Sequence, residues 1–339
     1  MITIDDIAKQ LGVTKSTVSN AISGKRYVSP NLKERILKKC EEMDFKPNFF
    51  ATNLLTGKTN IIGLFLQTDE KPQYMDFYNS LIKSCLMTSH RYGYNVMIYY
   101  GLSDKKTVSL LGCRKAPIDG AIILSPKTVD ERVSSLETNS IPCVVIGKTE
   151  NEINNFSYVD NDNADLVKRL TEKLISLNHK DIALINSESN LTISEEREAA
   201  FRSVCEKNNI NYHHLNVVES TEDIGYEICQ KMLDENLTFT AVITANDLLA
   251  KGFYDCFKDN NLTIGLDISI ACLGGEQYIK DQLIPNLSYA YQDYKEIGKF
   301  ATELLIEKVN QTEAMSKKII LKSKIFFTES VKIYHKKAG

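Results

Sequence analysis

From Ile61 onward, short apolar runs alternate with stretches whose apolar positions recur at helical spacing, and that rhythm leaves few folds open. The run I-I-G-L-F-L at 61–66 and the segments 96–100, 120–124 and 143–147 read as strands, with Phe77, Leu81 and Cys85 beside Ile82 on one helix face between the first two. A second set follows: helix 162–177, strand 181–186, helix 194–208, strand 214–218, helix 222–235, strand 240–244, helix 247–259 and strand 268–272. Strands covered on both faces by crossover helices form parallel sheets. Two such sets predict an α/β body of two doubly wound lobes, with strand 287–291, helix 293–310 and strands near 319–328 returning to complete both.

The first 46 residues are of another kind. Thr3 can cap a helix whose apolar residues Ile4, Ile7, Ala8 and Leu11 share a face, with Asp6 at capping-box spacing, and Gly12 stops it. Val13 turns inward and Thr14 caps a second helix whose Val18 and Ile22 point to a small core, the spacing of a helix-turn-helix. Ser29-Pro30 starts a third with a serine cap and an N1 proline, lined by Leu32, Ile36, Cys40 and Met43 with Leu37 beside them. On the outer face of the second helix, Lys15, Ser16 and Asn20 stand near its N-terminus. Lysine can donate to guanine O6 and N7, asparagine can pair bidentately with adenine, and a serine hydroxyl serves either. Thr14, Thr17, Ser19 and Tyr27 are candidates for phosphate contacts that position such a helix without specifying sequence.

Charge follows the same division. The chain of 339 residues has net charge −3, yet residues 1–58 hold 8 Lys and 2 Arg against 3 Asp and 3 Glu, an excess of +4 that leaves −7 for the remainder. A basic reader on an acidic body is the pattern of a nucleic-acid-binding regulator. No apolar stretch is long enough for a membrane span and no secretory signal opens the chain, so a cytoplasmic protein is expected. The eight cysteines, scattered and without a C-x-x-C pair, are expected to be reduced, with no disulfide frame and no zinc site. None of the five histidines sits in a catalytic motif, and T-G-K-T at 56–59 lacks the glycine and the following helix of a phosphate loop. No enzyme activity, cofactor or metal is expected.

The opening I-T-I-D-D-I-A-K-Q-L-G-V-T-K-S-T-V-S-N-A-I-S-G, with Y-V-S at 27–29 and K-P-N at 46–48, closely resembles the consensus of the lactose-repressor (LacI/GalR) family of transcription regulators. The resemblance implies an all-α helix-turn-helix head over 1–46, a hinge helix and linker over 47–58, and a periplasmic-binding-protein-like body over 59–339. Within that body, lobe one is expected to span about 60–157 and 292–318, and lobe two about 158–291 and 319–335. Leu54 matches the family's minor-groove leucine, an apolar wedge that unstacks base steps and bends the duplex. Thr52 stands where many relatives carry arginine, which weakens phosphate neutralisation at the hinge.

The resemblance also implies an effector pocket between the lobes. Tyr74, Arg197, the pair Asn246-Asp247 and Gln292 match its positions, and a guanidinium fork suits sugar hydroxyls or a carboxylate. Two departures matter. Gly274 replaces an aspartate common in relatives, and Gly147-Lys148 stands where several sugar-binding relatives have an acid, so Lys148 is a candidate for an anionic ligand. The expectation is a homodimeric repressor on two-fold-related operator DNA, controlled by a sugar or sugar phosphate. The alternative is control by a partner protein.

Overall fold

The computed structural model describes residues 2–24, 26–45, 58–66, 75–100, 104–112, 116–150, 157–274, 282–311 and 315–335. It falls into two compact units, Met1–Asn60 and Ile61–Gly339.

The first unit holds α1 (Ile4–Leu11), α2 (Lys15–Ser23) and α3 (Pro30–Glu42). Thr3 closes the capping box: its hydroxyl accepts from Asp6 N while the Asp6 carboxylate accepts from Thr3 N at 2.8 Å. Gly12 takes the left-handed conformation at φ 66°, which a residue with a side chain adopts only under strain, and Thr14 caps α2 by accepting from Thr17 N. Ile7, Ala8, Val18, Ala21, Ile36 and Cys40 fill the core. Two details differ from the sequence expectation. Ser29 makes no side-chain cap, and Leu37 is 42% exposed, because the inward line of α3 runs through Ile36 and Cys40 and the next residue is turned about 100° away.

In the second unit one six-stranded sheet contains β1 (Ile61–Phe65), β2 (Asn95–Tyr99), β3 (Gly120–Leu124), β4 (Cys143–Ile146), β5 (Ser157–Asn161) and β11 (Lys318–Leu321), in the order β11-β5-β4-β3-β1-β2 and all parallel. The other contains β6 (Asp181–Asn186), β7 (Asn211–Asn216), β8 (Ala241–Thr244), β9 (Ser269–Cys272), β10 (Ser288–Tyr291) and β12 (Lys324–Phe326), in the order β12-β10-β9-β8-β6-β7, with β12 antiparallel to β10. The first sheet is covered on one face by α4 (Met75–Arg91) and α11 (Tyr294–Asn310), and on the other by α5 (Asp104–Gly112) and α6 (Glu131–Thr138). The second lies between α7 (Asn163–Ser176) with α8 (Thr192–Lys207) and α9 (Glu222–Asp234) with α10 (Asp247–Asp259).

Two lobe boundaries move. The segment 158–161, assigned from sequence to lobe two, lies in β5 of lobe one, and 319–321 likewise belongs to the first sheet through β11. S-Y-V-D-N ends in two polar residues and lacks the continuous apolar run by which a buried parallel strand is recognised. The chain therefore crosses between lobes after Asn161, at Gln292 and between Leu321 and Lys324, and side chains tie these crossings together. Asn161 Nδ2 donates to Gln292 Oε1 at 2.9 Å, Gln292 Nε2 donates to Leu273 O at 2.8 Å, and Ser323 Oγ donates to Asn161 Oδ1 at 3.4 Å.

The cysteine expectation also needs correcting. Cys229 on α9 and Cys256 on α10 form a disulfide, with Cα atoms 6.3 Å apart. Each lies four residues after a glycine, Gly225 and Gly252, where an added Cβ would strike the backbone of the facing helix. The bare glycine faces let the helices approach closely, and the cysteines one turn on then meet. Cys40, Cys85, Cys143, Cys205 and Cys272 are free and buried, while Cys113 lies outside the described residues.

Candidate functional site

The polar face of α2 is built by its N-terminus. Lys15 opens the helix with its side chain 67% exposed, and its ammonium pairs with Asp5 of α1 at 3.2 Å. The Thr14 hydroxyl lies 2.8 Å from both Ser16 Oγ and Thr17 Oγ1, so the first turn is fastened by hydroxyls while Ser16 stays exposed. Ser19 and Asn20 are half-buried beside them, and Tyr27, after the helix, is 88% exposed. Hydrogen bonds from Lys9 and then Lys15 hold the Asp5 carboxyl below its ordinary range. The structure thus gathers Lys15, Ser16, Asn20, Thr14, Thr17 and Ser19 on one short helix and its cap. Leu54 lies outside the described residues.

In the body, polar side chains collect at the carboxyl ends of the strands, where open α/β sheets take their ligands. Asp160 and Asn161 end β5, Asn163 opens α7, Asn186 ends β6, and Thr192, Ser194, Glu196 and Arg197 occupy the first turns of α8. Arg197 is 4% exposed and its Nε has no hydrogen-bond partner. Burial pushes its pKa down to about 10, against the opposing pull of Tyr294, Asp160 and Glu196. Those two carboxylates are engaged elsewhere. Glu196 is hydrogen-bonded by Lys148, and Asp160 lies 3.8 Å from the same ammonium while accepting from Asn161 N at 2.7 Å and from Asn163 Nδ2.

Lys148 is therefore not a free cation awaiting an anion, as its sequence context suggested. Burial alone would depress its pKa, but the hydrogen bond to Glu196 and the charges of Glu196 and Asp160 hold it above the ordinary value. Asp160 pays the larger cost of this arrangement: burial raises its pKa to about 6 despite Lys148. Because Lys148 follows β4 and Glu196 lies on α8, their ion pair spans the two lobes. The loop after β3 reaches across as well, with Thr128 N donating to Asn190 O at 3.0 Å and Lys127 bridging Leu191.

The remaining pocket positions separate by how fully they are used. Asn246 caps α10, accepting from Leu249 N at 2.9 Å and donating to Ser220 O at 3.0 Å; the buried Asp247 begins that helix. Gln292 is spent on the crossing between lobes. Gly274 lies beside it, and a Cβ there would sit 3.2 Å from Gln292 Nε2 and 3.4 Å from Tyr294 Oη. Tyr74 lies outside the described residues. Sequence reasoning missed Asn163, Asn186, Thr192 and Ser194, each with a buried oxygen that has no partner. Their common signal was a polar residue at the end of an apolar strand or the start of the next helix.

Comparison with known proteins gives each unit a counterpart. Residues 3–48 match the model described as bacterial regulatory proteins, lacI family, and residues 171–331 match the periplasmic binding protein-like domain. The HTH-type transcriptional repressor PurR of Haemophilus influenzae (strain PittEE) is 26% identical over 320 residues, covering 92% of this chain and 93% of the relative. Among solved structures, the lac repressor dimer bound to operator and the anti-inducer ONPF superposes with a TM-score of 0.83 at 19% identity, over 98% of this chain and 99% of that one. The complex of the transcriptional regulator CelR with cellobiose gives 0.71 at 21% identity, over 97% and 100%. Among the described residues, no helix is long and apolar enough to cross a membrane.

Proposed function

Because the chain belongs to the LacI family, with a LacI-type DNA-binding head on a periplasmic-binding-protein-like body, we propose a dimeric repressor whose effector is a small sugar derivative bearing an acidic group. The head reads two-fold-related operator DNA through Lys15, Ser16 and Asn20 in the major groove, Thr14, Thr17, Ser19 and Tyr27 set its register on phosphates, and Leu54 wedges the minor groove. The lac repressor binds operator as a dimer, and CelR forms a complex with cellobiose.

One observation carries the effector class: Arg197 is a buried guanidinium whose Nε lacks a partner. A buried guanidinium with a donor left unpaired is costly, and a phosphate or carboxylate brought by the ligand would relieve it with charge-assisted hydrogen bonds. Around it, the unpartnered oxygens of Asn163 and Asn186 accept from hydroxyls, and the Thr192 and Ser194 hydroxyls donate or accept. An anion beside several hydroxyls is a sugar phosphate or sugar acid. Gly274 supports this, since it places no carboxylate beside Gln292 and Tyr294 to repel an anion. Asn246, Asp247, Gln292 and Lys148 then shape the pocket, and Tyr74 supplies a stacking face.

The regulatory mechanism follows from what spans the lobes. An effector clamped between them shifts the balance between arrangements with the Lys148–Glu196 and Thr128–Asn190 contacts made or broken, while the knot of Asn161, Gln292 and Ser323 serves as pivot. That shift changes the spacing of the paired hinges and so the register of the two recognition helices. Thermal unfolding of the full chain against neutral sugars, sugar phosphates and sugar acids tests the effector class, because a ligand binding only the folded state raises its apparent stability. Stabilisation by anionic sugars is expected. Stabilisation by neutral sugars alone would remove the anion from the proposal.

A further inference from the structure

We propose that Asp5 reads DNA, acting with Lys15 as a joint donor–acceptor unit on one G·C pair in each half-site. The inference rests on α2 being the recognition helix. Asp5 belongs to α1, yet its Oδ1 lies 3.2 Å from Lys15 Nζ, while its Oδ2 holds Lys9 at 3.1 Å. Lys15 occupies the first position of α2, where the positive end of the helix disfavours a cation, and the first turn of α2 contains no acidic residue to offset this. The balancing carboxylate comes from the neighbouring helix and also fixes where the ammonium points.

The pair matches one base-pair edge in particular. An ammonium has three protons. With one on Asp5, two remain for neighbouring acceptors, and guanine offers O6 and N7 side by side. Cytosine N4 lies next to O6 and carries the amino donor that a carboxylate accepts, so the order acceptor, acceptor, donor along the major groove meets Lys15 and Asp5 in sequence. An A·T pair presents acceptor, donor, acceptor and sets the Lys15 charge against the adenine amino group. Asp5 also carries a cost, since a negative charge on a phosphate-facing surface weakens binding to every sequence alike. What it returns is discrimination.

The test is selection of preferred operators from random duplex DNA by the full-length protein, followed by affinities on duplexes changed one base pair at a time. A G·C pair in each half-site is expected to discriminate against A·T by about tenfold or more, and Asp5→Ala and Lys15→Met should each flatten the preference at that same pair. Asp5→Asn, which keeps an acceptor oxygen and loses the charge, should retain part of it, and far-ultraviolet circular dichroism confirms that each head is folded. If both Asp5 variants bind all duplexes more tightly by the same factor with an unchanged base profile, Asp5 acts by charge alone and the proposal is overturned. If the wild type enriches no two-fold sequence at all, the recognition-helix reading falls with it.

Discussion

Among the described residues of the body, Arg132 and Arg197 are buried, and their surroundings are opposite. Arg132, 2% exposed, donates from Nε and Nη2 to Asp130 at 2.9 and 2.6 Å, and from Nη2 to the carbonyls of Leu124 and Ser125. Asp130 in turn caps α6 and accepts from Lys127 N at 3.2 Å. Burial alone would raise the Asp130 pKa, but hydrogen bonding and charge from Arg132 reverse the sign and lower it. Arg197 is as deeply buried, yet its Nε is unpartnered and the nearby acids serve Lys148. A buried charge closed by its own loop fixes that loop; one left open marks a place where the fold gives up stability that a ligand can restore.

The sharpest test of this contrast is a pair of substitutions read in the same thermal melt of the body. Asp130→Ala strands the Arg132 guanidinium and is expected to destabilise by about 3–5 kcal/mol. Arg197→Met should move the unliganded body the other way, by about 1–4 kcal/mol, since replacing a poorly compensated buried ion with an apolar side chain of similar length removes its desolvation cost. The same variant should lose at least about 100-fold in affinity for whichever anionic sugar stabilises the wild type, while operator binding persists. Destabilisation of Arg197→Met on the scale of Asp130→Ala would mean that Arg197 is structurally paired, and the effector argument would lose its premise.

Between these extremes stands Asp160, a buried carboxylate only partly compensated. Its pKa in the folded protein is about 6 against an ordinary value of 3.8, so the folded state favours the neutral form. The stability this confers is full below about pH 4 and is lost as pH rises through 6; above that, the ionised group costs on the order of 2–3 kcal/mol. Asp160→Asn has no such group to ionise. It should melt above the wild type at pH 7.5, and the gap should close toward pH 4. A gap that is constant with pH would show that Lys148 compensates Asp160 fully, which would place it with Asp130.

These contrasts explain what was legible in the sequence. Helix 247–259, strand 120–124, strand 181–186 and the capping box at Thr3 were predicted at the residues where they occur, because each rests on local periodicity or on a cap three residues from its partner. β7 begins at Asn211, ahead of the predicted 214, because a polar edge strand reading N-Y-H-H gives no apolar signal. The Lys148–Glu196 pair joins residues 48 apart, and the α9–α10 disulfide spans 27; neither separation is set by any local pattern. Arg197 could be picked out by its resemblance to a family position, but its missing partner is a property of packing. Sequence identified the group and left its state of charge compensation unread.

The smallest expected effect separates pocket residues that have partners from those that lack them. Asn246 uses both ends of its amide, Oδ1 for the cap on Leu249 N and Nδ2 for Ser220 O, so its presence at the strand end is explained without a ligand. Asn246→Ser keeps an oxygen acceptor for the cap without adding a charge beside the proposed anion, while the bond to Ser220 is lost. The net change in unfolding free energy should be within about 1 kcal/mol, and affinity for the anionic sugar should fall by less than about threefold. A stable Asn246→Ser protein that no longer binds the sugar would show that Asn246 turns from Ser220 to the ligand. An amide with both ends engaged would then be no guide to what a ligand leaves alone, and the division drawn from Arg132 and Arg197 would hold for buried charges but not for buried neutral groups.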